Sequence, residues 1–127
     1  SKRLDKKNLK EDLIELVKDK SLTTSVVQVL TSGKTSNYYI DVKMTTLVPK
    51  GAFLTTRMIL NTLKPFDIDA IGGYTLGADP IVSAVAVLSA ETERPLPAFI
   101  VCKESKKHGK RKMIEGPFRK SLEGSCG

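Results

Sequence analysis

The chain has 127 residues, 40% of them apolar and 28% charged, and carries a formal net charge of +7. That length suits one domain with a modest core. No run of about 18 apolar residues is present to span a membrane, and the N-terminal Ser1-Lys-Arg-Leu-Asp-Lys-Lys7 lacks the apolar centre of a secretory leader. The positive balance favours anionic partners: nucleic acid, a phosphorylated small molecule or an acidic membrane surface.

The two cysteines, Cys102 and Cys126, fit no paired metal or redox spacing. They predict a reducing, cytoplasmic setting, with Cys102 a buried strand thiol. Tryptophan is absent, and the few aromatic residues are not interleaved with the basic cluster. A single-strand nucleic-acid binder needs stacking platforms among its cations, so that function is disfavoured.

In chain order, Asn8 and Glu11 have capping-box spacing. Leu9, Leu13, Leu16 and Val17 then share one helical face, predicting a helix that ends near Asp19-Lys20. Val26 to Thr31 is rich in β-branched residues and reads as a strand. Ser32 to Asn37 is turn-like, and Tyr38 to Val42 is a second strand, so the pair predicts a hairpin. Ser, Gly, Lys and Thr in its turn suit either a plain hairpin or an anion contact. Pro49 suits the first position of a helix whose apolar stripe is Ala52, Thr56, Ile59, Leu60 and Leu63, ending at Lys64-Pro65.

Ile68 to Ile71 then reads as a short strand and Gly72 to Ala78 as a glycine-rich turn. Asp79-Pro80 reads as an N-cap and first helical residue. Ile81, Ala84, Val85 and Leu88 form an apolar helical face, and Ala98 to Val101 a second strand. Strand, loop, helix and strand predict a βαβ unit with a parallel sheet and a right-handed crossover. A glycine turn before a helix N-terminus, at the C-terminal edge of a parallel sheet, is where α/β folds take anionic ligands. It matches neither a Walker A loop nor a G-x-G-x-x-G fingerprint.

The second strand runs directly into Lys103, Lys106, Lys107, Lys110, Arg111 and Lys112, beside Glu104 and the single histidine, His108. Such a segment repels itself and suits a solvated tail or a loop that meets a polyanion. Parallel strands end on the same sheet edge, so the glycine turn and the basic segment are expected to share one cleft.

Three segments resemble the orotate phosphoribosyltransferases, which are type I phosphoribosyltransferases. They are Thr31-Ser-Gly-Lys-Thr-Ser-Asn-Tyr-Tyr-Ile-Asp41, Ile71-Gly-Gly-Tyr-Thr-Leu-Gly-Ala-Asp-Pro-Ile81 and Phe99-Ile-Val-Cys-Lys-Glu-Ser-Lys-Lys-His-Gly109, with Ile114 to Pro117 fitting the exit from the last loop. The resemblance implies an α/β fold. This is a partial type I phosphoribosyltransferase fold, with an N-terminal helix and hairpin followed by a parallel βαβ core, in a single incomplete domain over 1–127 with a flexible basic loop at 103–116. It implies transfer of ribose 5-phosphate from phosphoribosyl pyrophosphate (PRPP) to orotate with Mg²⁺, in a cytoplasmic homodimer whose loop reaches the partner's site.

By the same resemblance Lys103, Lys106 and His108 are catalytic loop residues. Tyr74, Thr75, Leu76 and Lys107 join them in binding PRPP and pyrophosphate, Tyr39 and Ile40 cover orotate, and no side-chain metal ligand is identified. Lys34 and Lys43 are left without a role. Cys102 stands where many family members carry Arg. The family's strand, acidic pair and Thr/Gly-rich loop for the 5-phosphate are expected after Pro117, where this sequence has Phe118 to Gly127 instead. Two further functions fit the residues: a non-catalytic PRPP- or pyrophosphate-binding or regulatory protein, and a basic nucleic-acid-binding module.

Overall fold

The structure is a computed structural model and describes residues 6–24, 28–103 and 112–118. The chain forms two compact units, Ser1–Met58 and Ile59–Gly127. No helix among the described residues is long and apolar enough to cross a membrane.

The first unit opens with α1, Lys6–Lys20. Leu9 is buried and Leu13, Leu16 and Val17 are half-buried, as the helical spacing requires. The expected capping box is not formed, because α1 starts upstream of Asn8 and takes both Asn8 and Glu11 into its interior. Its end is as expected, closed by Ser21 N donating to Val17 O at 2.8 Å.

Strands β1 (Leu22–Thr23), β2 (Gln28–Val29), β3 (Thr35–Ser36) and β4 (Tyr39–Ile40) are each two residues long. The expected pairing of 26–31 with 38–42 gives way to two separate antiparallel pairs, β2 with β3 and β1 with β4. The turn explains the change. Leu30 N donates to Lys34 O and Gly33 N to Leu30 O, both at 2.8 Å, with Gly33 at φ +85°. This tight closure leaves Thr35-Ser36 opposite Gln28-Val29. The Ser36 hydroxyl then donates to Tyr38 O and accepts from Tyr38 N, interrupting the strand before β4.

A short helix absent from the expectation, α2 (Lys43–Thr46), follows. Its start is marked by Asp41, whose Oδ1 accepts from Lys43 N at 3.1 Å. Helix α3, Pro49–Leu63, begins at proline as predicted. Thr56 is buried within the expected stripe, but Gly51 and Leu54 are buried as well. Ser21, Thr45, Thr46 and Thr56 are all buried, so this core is rich in small polar groups. The Ser21 and Thr45 hydroxyls bond each other at 2.5 Å, and Thr56 donates to Ala52 O at 2.7 Å.

The second unit holds a three-stranded sheet of order β5-β6-β7, comprising β5 (Ile71–Tyr74), β6 (Ala98–Lys103) and β7 (Lys112–Glu115), together with α4 (Asp79–Ser89). β5 and β6 are parallel, Ile71 against Ala98 through Tyr74 against Val101, and α4 connects them, confirming the βαβ unit. The first strand lies further along than expected. Gly72, Gly73 and Tyr74 belong to β5, and the turn is confined to 75–78. A Cβ on Gly72 would fall on the Phe99 ring, and one on Gly73 would come within 2.5 Å of the Ala78 Cβ. These two glycines therefore serve packing inside the sheet, not ligand approach.

Val82 and Val85 are buried from α4, closer in than Ile81, Ala84 and Leu88. Ser89 is buried too, donating to Ala86 O and accepting from Leu96 N at 2.8 Å, which ties the helix end to the chain entering β6. Asp79 and Pro80 also differ from expectation. Ala78 is the N-cap, Asp79 is already helical, and no side chain caps the helix.

Cys102 is buried as expected, but it is disulfide-bonded and not a free thiol. The chain's other cysteine, Cys126, lies outside the described residues.

Arg94 closes the end of α3. Its guanidinium donates to Phe66 O at 2.7 Å, Lys64 O at 3.0 Å and Leu63 O at 3.4 Å, carbonyls at and just beyond the C-terminus of the helix. Arg94→Ala is expected to cost about 1 kcal/mol in this exposed setting, and Arg94→Lys, lacking the planar fork, to recover less than half of it. Denaturant unfolding of both variants measures this.

Candidate anion-binding site at the sheet edge

The parallel register builds the site. β5 ends at Tyr74, opposite Val101, and β6 continues to Lys103. Thr75 N donates to Val101 O at 2.9 Å, so the turn starts against the strand that carries the basic segment. Turn 75–78 is folded onto the helix that follows. Ala78 N donates to Tyr74 O at 3.0 Å, Asp79 N to Leu76 O at 3.1 Å, and the Thr75 hydroxyl to Asp79 Oδ2 at 2.7 Å. The Thr75–Leu76 peptide is cis.

Tyr74 is 49% and Leu76 68% exposed, so both are open to a ligand. A Cβ on Gly77 would meet nothing within 4 Å, making Gly77 the one glycine of the turn region whose surroundings leave room for an approaching group. Helix α4 begins directly behind it, with the partial positive charge of its N-terminus facing the turn.

The basic segment is held at both ends. β7 pairs antiparallel with β6, placing Lys112 opposite Lys103 and Met113 opposite Cys102. The expected loop over 103–116 is therefore strand at 103 and again over Lys112–Glu115. β7 lies outside the sequence expectation, and Met113 and Ile114, following the basic run, are its apolar signal. Gly116, at φ +152°, sits against Ala98 O and Phe99. Phe118 then packs edge-on against Phe99 with ring centroids 5.6 Å apart, returning the chain along β6. Lys106, Lys107 and His108 lie outside the described residues.

Tyr39 and Ile40 lie in β4 of the first unit, 46% and 42% exposed. Just beyond them, Lys43 Nζ pairs with Asp41 Oδ1 at 3.0 Å. The hydrogen bonds and charge of Lys43 hold the Asp41 carboxyl below its ordinary range. Lys43 is thus engaged locally. Asp79, expected as a helix cap, instead clasps Thr75, and its four-residue spacing from a hydroxyl across the turn is the sequence signal for that contact.

No protein-family model matches the chain. It is 54% identical over 89 residues to an orotate phosphoribosyltransferase of Nostoc sp., spanning 70% of this chain and 43% of the relative. It is 43% identical over 109 residues to that of Aquifex aeolicus, spanning 84% of this chain and 60% of the relative. The crystal structure of the Mycobacterium tuberculosis orotate phosphoribosyltransferase superposes with a TM-score of 0.66 at 34% identity, covering 87% of this chain and 61% of that one. The chain thus spans about half the length of the curated relatives it matches.

A helix-crossed parallel pair with an exposed turn at its edge is the phosphoribosyltransferase fold over part of its length. Within that class the chain is a homologue of the orotate phosphoribosyltransferases, matched over most of its residues but over only part of theirs.

Proposed function

We propose that this chain serves the transfer of ribose 5-phosphate from PRPP to orotate, giving orotidine 5′-phosphate and pyrophosphate for pyrimidine synthesis. The observation that carries this is the register of β5 on β6. It sets the exposed turn 75–78 and the root of the basic segment on one sheet edge. The relatives' name supports the reaction, and the M. tuberculosis homologue has been solved with PRPP bound.

In the reaction the bond from ribose C1 to the diphosphate oxygen breaks and a bond from C1 to the orotate nitrogen forms. Charge gathers on the leaving diphosphate. The turn at Tyr74, Thr75 and Leu76, donating through the Leu76 N–H while the Thr75 N–H is held by Val101 O, with Lys103, Lys106 and Lys107, would stabilise that charge without reorganising at the moment of reaction. His108, with a reference pKa near neutrality, would donate a hydrogen bond or proton to a leaving oxygen. Tyr39 and Ile40 would cover orotate, and closure of the basic segment would keep water from PRPP.

No group of three or more His, Cys, Asp or Glu among the described residues is placed to hold an ion. Mg²⁺, bound together with PRPP, would supply charge neutralisation and orientation. A homodimer in which the basic segment reaches the partner's site belongs to the same proposal, as does a cytoplasmic setting. A disulfide at Cys102 forms in oxidising surroundings, so thiol titration of protein taken directly from cells tests that setting.

Protein mixed with orotate, PRPP and Mg²⁺ is expected to consume orotate, read as loss of its absorbance. No loss with a homogeneous preparation overturns the catalytic role. The partial match to the relatives favours one second function, a PRPP- or pyrophosphate-binding protein without turnover. Calorimetric PRPP binding in a preparation that leaves orotate unchanged identifies it.

A further inference from the structure

We infer that Asp79 is a positioning residue: through its bond to the Thr75 hydroxyl it fixes turn 75–78 so that free backbone N–H groups face a diphosphate. This rests on the diphosphate role proposed above for the turn.

A carboxylate beside an anion site needs a reason to be there, since its charge repels the ligand. As a cap it has none, because Ala78 occupies the N-cap and no side chain caps α4. Its role lies upstream. Oδ2 accepts from Thr75 Oγ1 at 2.7 Å, spanning the whole turn. Oδ1 is buried and has no hydrogen-bond partner among the described residues, so the carboxylate is seated on one side and tied on the other.

The Thr75 hydroxyl has a single proton. Donated to Asp79, it is not available to the ligand, so Thr75 serves the turn as a strut. Its N–H is also spent, on Val101 O, and those of Ala78 and Asp79 are spent on Tyr74 O and Leu76 O. Within the turn this leaves the N–H groups of Leu76 and Gly77 without a backbone acceptor among the described residues. They are flanked by the exposed Leu76 side chain and the open space at Gly77. Two donors on a four-residue turn keep a common direction only if the turn does not rock. The clasp joins the residue before them to the first residue of α4 and supplies that rigidity.

The test is calorimetric titration of pyrophosphate with Mg²⁺ into the wild-type protein, Thr75→Val, Asp79→Ala, Asp79→Asn and the Thr75→Val/Asp79→Ala pair, each with a thermal melt. Thr75→Val and Asp79→Ala are each expected to weaken pyrophosphate by about tenfold, and the double variant by no more than either alone, because both remove one bond. Asp79→Asn, which keeps an acceptor and loses the charge, is expected to stay within about threefold of wild type. Thr75 is exposed and its valine variant nearly isosteric, so its melting temperature should not move. Wild-type affinity in Thr75→Val and Asp79→Ala, or losses that multiply in the double variant, overturns the clasp. A lower melting temperature with unchanged affinity reduces Asp79 to a structural residue and also overturns it. Absence of pyrophosphate binding by the wild type overturns the diphosphate reading and the clasp together.

Discussion

Gly51→Ala is expected to destabilise the first unit by about 2–3 kcal/mol, although alanine is the better helix former by roughly 1 kcal/mol. The reason is what the new methyl would meet. A Cβ at Gly51 would fall on the carbonyl oxygen of Thr45, with the Thr45 carbonyl carbon at 2.7 Å and its Cγ2 at 2.8 Å. Thr45 is fully buried, and its hydroxyl is bonded to the buried Ser21. Thr45 in α2 therefore cannot move away from the new methyl without straining that bond. Gly72 is an instructive contrast. Its Cβ would meet ring atoms of Phe99, a side chain that can turn, at the expense of its edge-on contact with Phe118. Gly72→Ala should therefore cost less than Gly51→Ala. Urea unfolding of the two variants compares them directly. A loss below about 0.5 kcal/mol at Gly51 would show that α3 does not pack on Thr45 as described.

Features set by short-range rules were legible. α1 and α3 follow from 3.6-residue periodicity and from Pro49, and the βαβ unit from strand, turn and helix in succession. Long-range choices were not. Nothing near Tyr39 says that it pairs with Thr23 and not with the strand before the turn; that depends on Gly33 closing the turn early. Nor does the local pattern show that Gly72 and Gly73 are strand residues, because the requirement comes from Phe99, distant in sequence, and Ala78, at the far end of the turn. The same holds for the site. The turn at 72–78 is legible from its glycines, and Tyr74, Thr75 and Leu76 only through the resemblance, though of those glycines only Gly77 leaves room for a ligand. Asp79 was found as a helix-start signal, though its partner is Thr75.

Lys103→Ala and Lys106→Ala are each expected to weaken pyrophosphate binding by about 10- to 100-fold, and Lys110→Ala by less than about threefold. A charge-assisted bond to a phosphate oxygen contributes roughly 1.5–3 kcal/mol, whereas a cation that only adds to the field is screened by salt. The strands say why position should matter more than number. Lys103 is the last residue of β6, held opposite Lys112 and two residues beyond Val101, whose carbonyl anchors the turn. Its backbone is therefore fixed relative to the Leu76 and Gly77 N–H groups in a way that charge count alone does not provide. Lys106 carries the same expectation through the resemblance of its Lys-Glu-x-Lys-x-His-Gly run to the family's loop. Raising salt from 50 to 200 mM should weaken all variants, and specific contacts keep their ranking through that change. Equal losses in the three variants, vanishing together at high salt, would mean that the segment acts as diffuse charge and that Lys103 and Lys106 hold no particular phosphate oxygen.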